Sequence, residues 1–383
     1  MSTKPPHTID EKKSPLVVWD GLGLFNEYSG IGTYGKNLYT ALSSLGVCPY
    51  VVVNSVAGLP YVGTDRTLQV GGQASFRATS ISGLIPERIR GMKPVFPLLA
   101  YSRAKSEFKK TGDQKPPRMI YHGLSNINLP WTGKKRPGDK FVITVHDIIP
   151  LLVGETSALA LQMSLLLPKV LDRADHIITV SNWTRKTLLE RFGNQHANKT
   201  SVVGNGTVAV DELSLLAPQK TIDGLTIARG ESYKRLEVVE ALARAHPNSK
   251  FAVVTCVAGR RRLIHAPANL TIHVQLTGRE LEELMAASKI FIHPAIFEGW
   301  CLPAADALSR GLHVMYCIGS GIDEVVAHHP QRASGLTPKA SLADWCDGFK
   351  AALSSYNPQL KAPVLEKWSE VAKKTLNIYA LLV

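Results

Sequence analysis

Ile292-His293-Pro294-Ala295-Ile296-Phe297-Glu298-Gly299-Trp300-Cys301-Leu302-Pro303-Ala304-Ala305-Asp306-Ala307-Leu308 holds a strand end, a loop and a helix start. The apolar run closes at His293. Pro303 reads as the first helical residue, where its fixed φ fits and its missing N–H is not needed. Between the two, Glu298 is a carboxylate beside Gly299 in a strand-end loop, placed to meet a ligand. Asp306 falls in the helix's first turn, where complementing the helix dipole is reason enough for it.

On both sides of this string, short β-branched runs alternate with amphipathic helical stretches. The first half has Leu16–Trp19, Val51–Val53, Met119–Tyr121, Phe141–Val145, His176–Val180 and Ser201–Val203. The second half has Leu225–Ala228, Phe251–Val254, Leu270–Val274, Ile290–His293 and His313–Met315. Nearly all-apolar strands separated by helices indicate parallel sheets covered on both faces. Two successive β/α series indicate an α/β protein of two doubly wound, Rossmann-like domains. The pattern lapses between Asn205 and Asp223, so the domains are expected at 15–213 and 214–363. A final helix over 364–383 is expected to start just after Pro363, and 1–14 to form a loose polar tail.

The 383 residues are 45% hydrophobic and 20% charged, which excludes disorder, collagen and coiled coil. No apolar run is long enough to span a bilayer, and the first fourteen residues lack a signal peptide's apolar core. These features predict a cytoplasmic protein. The five cysteines, Cys48, Cys256, Cys301, Cys317 and Cys346, form no C-x-x-C pair. They read as buried thiols rather than disulfides or zinc ligands.

Charge is uneven. The formal net charge is +13, and Glu87 to Arg136 holds twelve basic against three acidic residues. Met92, Phe96, Leu98, Leu99, Tyr101 and Phe108 are interleaved with them. Such a mixture predicts a surface for anionic lipid headgroups. Nucleic acid is the rival partner for a basic surface, but no binding motif for it occurs.

Three further places can carry chemistry. Ser29-Gly30-Ile31-Gly32-Thr33-Tyr34 opens a helix running to Leu45, so the glycines let backbone approach an anion at a helix N-terminus. An ordinary tight turn has the same form. His146-Asp147 ends the strand Phe141–Val145, where open α/β sheets bind ligands; alternatively Asp147 only orients His146. Arg229 and Lys234 follow the second domain's first strand beside a helix start, and two such cations suit a diphosphate; a merely solvated basic loop has the same form.

Taken together the chain resembles the retaining glycosyltransferases of family four, which have the GT-B fold. That family's E-G-F-G-L-P-x-x-E-A is matched by Glu298 to Ala307, its G-G-I-G-x-Y by Ser29 to Tyr34, and its H-D-x-x-P by His146 to Pro150. A-D-x-x-x-x-V-S corresponds to Ala174 through Ser181, P-N-G to Gly204-Asn205-Gly206, and G-R-L-x-x-x-K to Ala228 through Lys234. Gly319 to Val325 resembles the late loop ending in Glu-Val. The match runs in order from about Leu16 to Val326.

The resemblance implies retaining sugar transfer from a nucleotide donor held between the two domains, with the last helix crossing back to the first. Arg229 and Lys234 would neutralise the leaving diphosphate. Glu298 would contact the donor sugar's hydroxyls, Asp306 the ribose, and His146 the sugar from across the cleft. Gly30, Gly32, Asn205, Gly299, Trp300, Cys301 and Leu302 would complete the donor site. No cofactor or metal is implied, and the sequence has no D-x-D triplet. A lipid-linked or glycolipid acceptor at the membrane's inner face, in envelope polysaccharide or glycolipid synthesis, is expected, with GDP-mannose as donor. The departures are Asp306 for a glutamate and Cys301 for a glycine. The first shortens the reach to ribose, and the second is expected to put a side chain where backbone amides face phosphate.

Overall fold

The computed structural model describes residues 16–22, 24, 29–53, 61–62, 67–70, 74–80, 94–109, 117–154, 156–207, 220–274, 276–327, 329–360 and 362–383. The first sheet contains β1 (Leu16–Asp20), β2 (Tyr50–Val53), β3 (Tyr61–Val62), β4 (Thr67–Val70), β5 (Ala74–Ser80), β6 (Met119–Gly123), β7 (Lys140–Val145), β8 (His176–Thr179) and β9 (Thr200–Val202). Their spatial order is β3-β4-β5-β2-β1-β6-β7-β8-β9. The second sheet contains β10 (Ile222–Ile227), β11 (Phe251–Thr255), β12 (Leu270–Val274), β13 (Ser288–His293), β14 (His313–Cys317) and β15 (Ala333–Leu336), in the order β12-β11-β10-β13-β14-β15.

The predicted strands all form. Every pairing in the second sheet is parallel. In the first sheet only the edge departs, where β3–β4 and β4–β5 pair antiparallel while β5 rejoins β2 in parallel.

The helices are α1 (Gly30–Ser44), α2 (Phe96–Glu107), α3 (Ile149–Leu152), α4 (Ala158–Arg173), α5 (Asn182–Phe192), α6 (Leu236–Ala245), α7 (Val257–Arg260), α8 (Gly278–Ala286), α9 (Leu302–Ser309), α10 (Ile322–Val326), α11 (Leu342–Ser355) and α12 (Trp368–Leu381). Successive strand residues point to opposite faces, so β1 sends Val17 and Trp19 into one core with α1 and α12, and Val18 into another with α2 and α4. The second sheet is likewise buried between α6 and α11 on one face and α9 and α10 on the other.

Two boundaries differ from expectation. The last helix begins at Trp368 rather than after Pro363 because the preceding residues pair with the end of the first domain. Thr207 N–H donates to Glu366 O at 2.8 Å, and Thr207 bridges Lys367 in parallel. α9 begins at Leu302, so Pro303 is its second residue and Asp306 its fifth, outside the first turn. The expected domain boundary near residue 213 lies outside the described residues.

The basic stretch also reads differently in three dimensions. Its residues 87–93 and 110–116 lie outside the described residues. Of the rest, Phe96 and Tyr101 are core residues, and Leu99 and Phe108 pack against the same core. Arg136 pairs with Asp139 at 2.9 Å and Lys135 with Asp175 at 2.7 Å. These four interleaved apolar residues face inward. No helix among the described residues is long and apolar enough to cross a membrane.

Candidate active site

The strand-end loops after β7, β10, β13 and β14 converge between the two sheets. β10 delivers Arg229 and a single 3-10 turn, Ser232–Lys234. Arg235, left-handed at φ 54°, then redirects the chain into α6. β13 delivers the Glu298 loop, tied to that turn by Ile296 N–H donating to Tyr233 O at 2.9 Å. The loop after β14 braces it from behind through Gly321 N–H to Glu298 O at 2.8 Å.

Lys234 Nζ donates to Glu298 Oε1, forming an ion pair in which each side chain is 13% exposed. His293 Nε2 donates to the same oxygen at 2.6 Å. Burial alone would raise the Glu298 carboxyl, but the lysine charge and the histidine bond overcome it and hold the group at about 2. Burial would likewise lower Lys234, and the Glu298 carboxylate reverses that, raising it above the ordinary lysine range. Arg229 is more exposed and pairs with Glu231 at 2.8 Å. Both cations act on Asp147 across the cleft. His293, Glu298 and Cys301 lie close enough together to ligate a metal ion. Glu298 Oε1 is already held by Lys234 and His293.

His146 is placed from the other side. Its N–H donates to Asn126 Oδ1 at 2.9 Å, and Asn126 Nδ2 returns a bond to Asp147 O at 2.7 Å. His146 Nε2 donates to Leu124 O at 2.9 Å, which leaves Nδ1 as the ring's acceptor. Burial pushes its pKa down to about 4, so the imidazole is neutral at pH 7. Asp147 does not orient it. Its Oδ1 accepts from Ile149 N–H at 3.0 Å, closing the turn into α3.

The two halves touch directly. A Cβ on Gly299 would lie 2.1 Å from His146 O, so only glycine permits this approach. Thr184 Oγ1 donates to His146 O at 3.0 Å and lies 3.4 Å from Gly299 O. Glu324, on α10, caps α5 of the other domain. Its carboxylate accepts Asn182 N–H at 3.0 Å, Asn182 Nδ2 at 2.9 Å and Trp183 N–H at 2.8 Å. Trp183 stacks on Phe297. Trp300 packs against cores of both domains.

The other predicted residues fall as follows. Ser29 Oγ caps α1 and accepts Gly32 N–H at 3.0 Å, while the space where a Gly30 Cβ would point is open. Cys301 takes the left-handed conformation, at φ 76°. Its side chain is buried, packing on the core beside Ala304 and Ala305 with its thiol close to Glu298 and His293. Leu302 packs at the domain junction. Asp306 lies 3.8 Å from Arg310, and burial pushes its carboxyl up to about 6 against that opposing charge. Asn205 is buried in the loop beside α12, its Oδ1 without a hydrogen-bond partner. His293, Thr184 and Glu324 were not singled out in the sequence as site residues. His293 reads as the last residue of an apolar strand, Glu324 acts across the domain junction, and Thr184 bridges His146 O of its own domain and Gly299 O of the other.

The comparisons agree with this architecture. Residues 28–208 match the model described as Glycosyltransferase Family 4, and 213–374 match Glycosyl transferases group 1. No curated protein sequence matches. Among solved structures, sucrose-phosphate synthase from Thermosynechococcus elongatus superposes with a TM-score of 0.73 at 16% identity, covering 97% of this chain and 99% of that one. Anabaena HepE in complex with UDP and glucose gives 0.66 at 12% identity, covering 96% and 99%. WaaG, a glycosyltransferase involved in lipopolysaccharide biosynthesis, gives 0.60 at 13% identity, covering 96% of each.

Proposed function

The chain belongs to the family-four glycosyltransferases of GT-B fold, and from that premise we propose that it is a retaining, metal-independent hexosyltransferase acting on a lipid-linked or glycolipid acceptor. The observation that carries this reading is the Lys234–Glu298–His293 cluster set against His146 at the strand ends. Lys234 and Arg229 bring positive charge to where a diphosphate leaves, the electrostatic work on which phosphoryl-type departures depend. Glu298, fixed as an anion, accepts hydrogen bonds from the donor sugar's hydroxyls. His146 Nδ1 accepts another from the opposite domain. Asp306 reaches the ribose, through a water where its shorter side chain falls short.

The carboxylates at the reacting position are Glu298, held by Lys234 and His293, and Asp147, engaged by Ile149 N–H. Their engagement favours attack by the acceptor hydroxyl on the leaving group's own face. The departing phosphate oxygen then takes the proton, and the anomeric configuration is retained. The donor is a nucleoside diphosphate hexose, GDP-mannose first among those to test, beside UDP-glucose and ADP-glucose.

The acceptor side has an apolar rim. Leu152, Leu159, Leu161 and Leu165 are 38%, 51%, 60% and 58% exposed on α3 and α4, immediately after the His146 loop. This face supports docking on a membrane beside the basic stretch Glu87 to Arg136, and with it a role in envelope polysaccharide or glycolipid synthesis. Sedimentation with vesicles of neutral and anionic phospholipid tests it: binding should drop in Leu161→Glu/Leu165→Glu, and unchanged binding refutes the docking face.

A thermal-shift panel of the three nucleotide sugars, run without added metal, tests the donor reading. A ligand that binds only the folded state raises the midpoint by mass action. One donor should raise it, and Lys234→Met should abolish the rise; no shift with any of them overturns the proposal. A shift without release of nucleotide would instead mark a chain that binds donor and transfers nothing.

A further inference from the structure

Behind His146 the first domain carries a continuous buried polar chain that the transfer chemistry does not use. Trp19 Nε1 donates to Tyr379 Oη at 3.1 Å. Tyr379 Oη lies 2.6 Å from His122 Nδ1, and His122 Nε2 lies 2.8 Å from Thr144 Oγ1. Thr144 Oγ1 is 3.4 Å from Tyr34 Oη. Trp19, His122, Thr144 and Tyr34 are fully buried, and Tyr379 is 3% exposed.

One direction leaves no buried donor of the chain unpaired. An indole N–H can only donate, so the Tyr379 hydroxyl accepts from Trp19, and its own proton is satisfied by His122 Nδ1 as acceptor. His122 is then the Nε2–H tautomer and donates to Thr144. Burial keeps this imidazole neutral. One donor-only residue on β1 thus sets every proton as far as Thr144.

The chain ends at the site. Thr144 and His146 are two residues apart at the end of β7, and the Tyr34 ring stands edge-on to His146 with centroids 4.8 Å apart at 88°. Tyr34 is held at its other end by Thr144 and on its flank by Trp368, edge-on at 5.6 Å. Trp368 and Tyr379 both belong to α12, the helix that follows the second domain and packs on the first.

We propose that Tyr379, His122 and Thr144 are positioning residues for His146, through which α12 sets the orientation of the imidazole in the cleft. The inference rests on the assignment of His146 to the donor sugar. Its mechanical content is separate: Tyr34 can hold the His146 ring in one plane only while Thr144 and α12 hold Tyr34.

The test is Tyr379→Phe, with Thr144→Val as the second variant should the first fail to fold. Histidine-selective ¹⁵N spectra of the full chain should show His122 as a single Nε2–H tautomer in the wild type. In Tyr379→Phe nothing donates to His122 Nδ1, so the single tautomer should give way to a mixture of the two, together with a shift of the His146 ring resonances. Unchanged His146 resonances in a folded variant overturn the proposal, with no substrate needed. Nucleotide release from GDP-mannose, UDP-glucose or ADP-glucose gives the functional arm. Turnover should fall about tenfold, the scale of a misplaced contact group, while donor affinity holds. In a His146→Ala background the same substitution should add nothing. An equal fall in both backgrounds means Tyr379 acts on the fold at large and overturns the proposal. Full turnover in His146→Ala alone sinks instead the assignment of His146.

Discussion

Replacing Lys234 by methionine tests the electrostatic logic of the site without any ligand. The substitution keeps an unbranched apolar stem and removes the charged end, leaving Glu298 buried with His293 as its partner. In the wild type Glu298 is depressed from 4.5 to about 2, which corresponds to about 3 kcal/mol at 1.36 kcal/mol per pH unit. A depressed carboxylate contributes stability above its unfolded pKa and loses it as pH falls through the folded value, here between about 4.5 and 2. Without the lysine, the burial term dominates and the sign reverses. Glu298 then has a raised pKa, and stability is lost as pH rises through it. Breaking a buried pair from one side costs about 3–5 kcal/mol. For the second domain that is a drop of roughly 6–20 °C in melting temperature at pH 7. The gap from wild type should narrow at pH 4, where the stranded carboxyl can take a proton. Adding Glu298→Gln should recover most of the loss and remove its pH dependence. Melting curves of the three proteins between pH 4 and 8 are sufficient. A Lys234→Met chain that melts within about 3 °C of wild type at pH 7, or whose deficit is the same at pH 4, would refute the reasoning.

Gly299→Ala should hold the cleft open, because its Cβ would meet His146 O at 2.1 Å and backbone lies on both sides. Nucleotide binding should persist while turnover falls about tenfold or more, read by titration and by nucleotide release. Glu324→Ala removes the acceptor for three donors at the start of α5. It should cost about 1–2 kcal/mol and raise the radius of gyration in small-angle scattering; an unchanged curve counts against Glu324 as an interdomain clasp. Cys301→Gly should be at least as stable as Cys301→Ala, because relief of the left-handed conformation, about 1–2 kcal/mol, offsets glycine's entropic cost. Turnover should survive a chelator, and loss that zinc or magnesium restores would overturn the metal-independent reading.

Most of the fold was legible because parallel strands buried on both faces must be apolar along their whole length. The antiparallel edge escaped for the complementary reason. Thr67–Val70 and Ala74–Ser80 alternate polar with apolar residues, including Gln69, Ser75, Arg77 and Thr79, so a search for continuous apolar runs passes over them. Within the charge run, composition along the chain does not say which way side chains point. Arg136 serves Asp139 and the Pro117 carbonyl, and Tyr101 beside it is core.

At the site, the residues legible in sequence are those whose chemistry is expressed by their own loop, and the illegible ones act through groups far along the chain. Glu298 beside a glycine at a strand end declares itself. His293 does not, because only the folded loop shows that it shares an oxygen with Lys234. Glu324 reads only as the glutamate closing a late loop, yet it caps a helix 142 residues earlier. Cys301 makes the same point in reverse. A side chain in place of glycine looks disruptive as a letter, but φ 76° shows the backbone taking a conformation glycine adopts freely, with the thiol seated beside Glu298 and His293. The cost is conformational strain in one residue. Asp306 admits no such adjustment, since a methylene removed from a helix side chain shortens its reach whatever the backbone does. Asp306 is therefore expected to alter how the nucleotide is held.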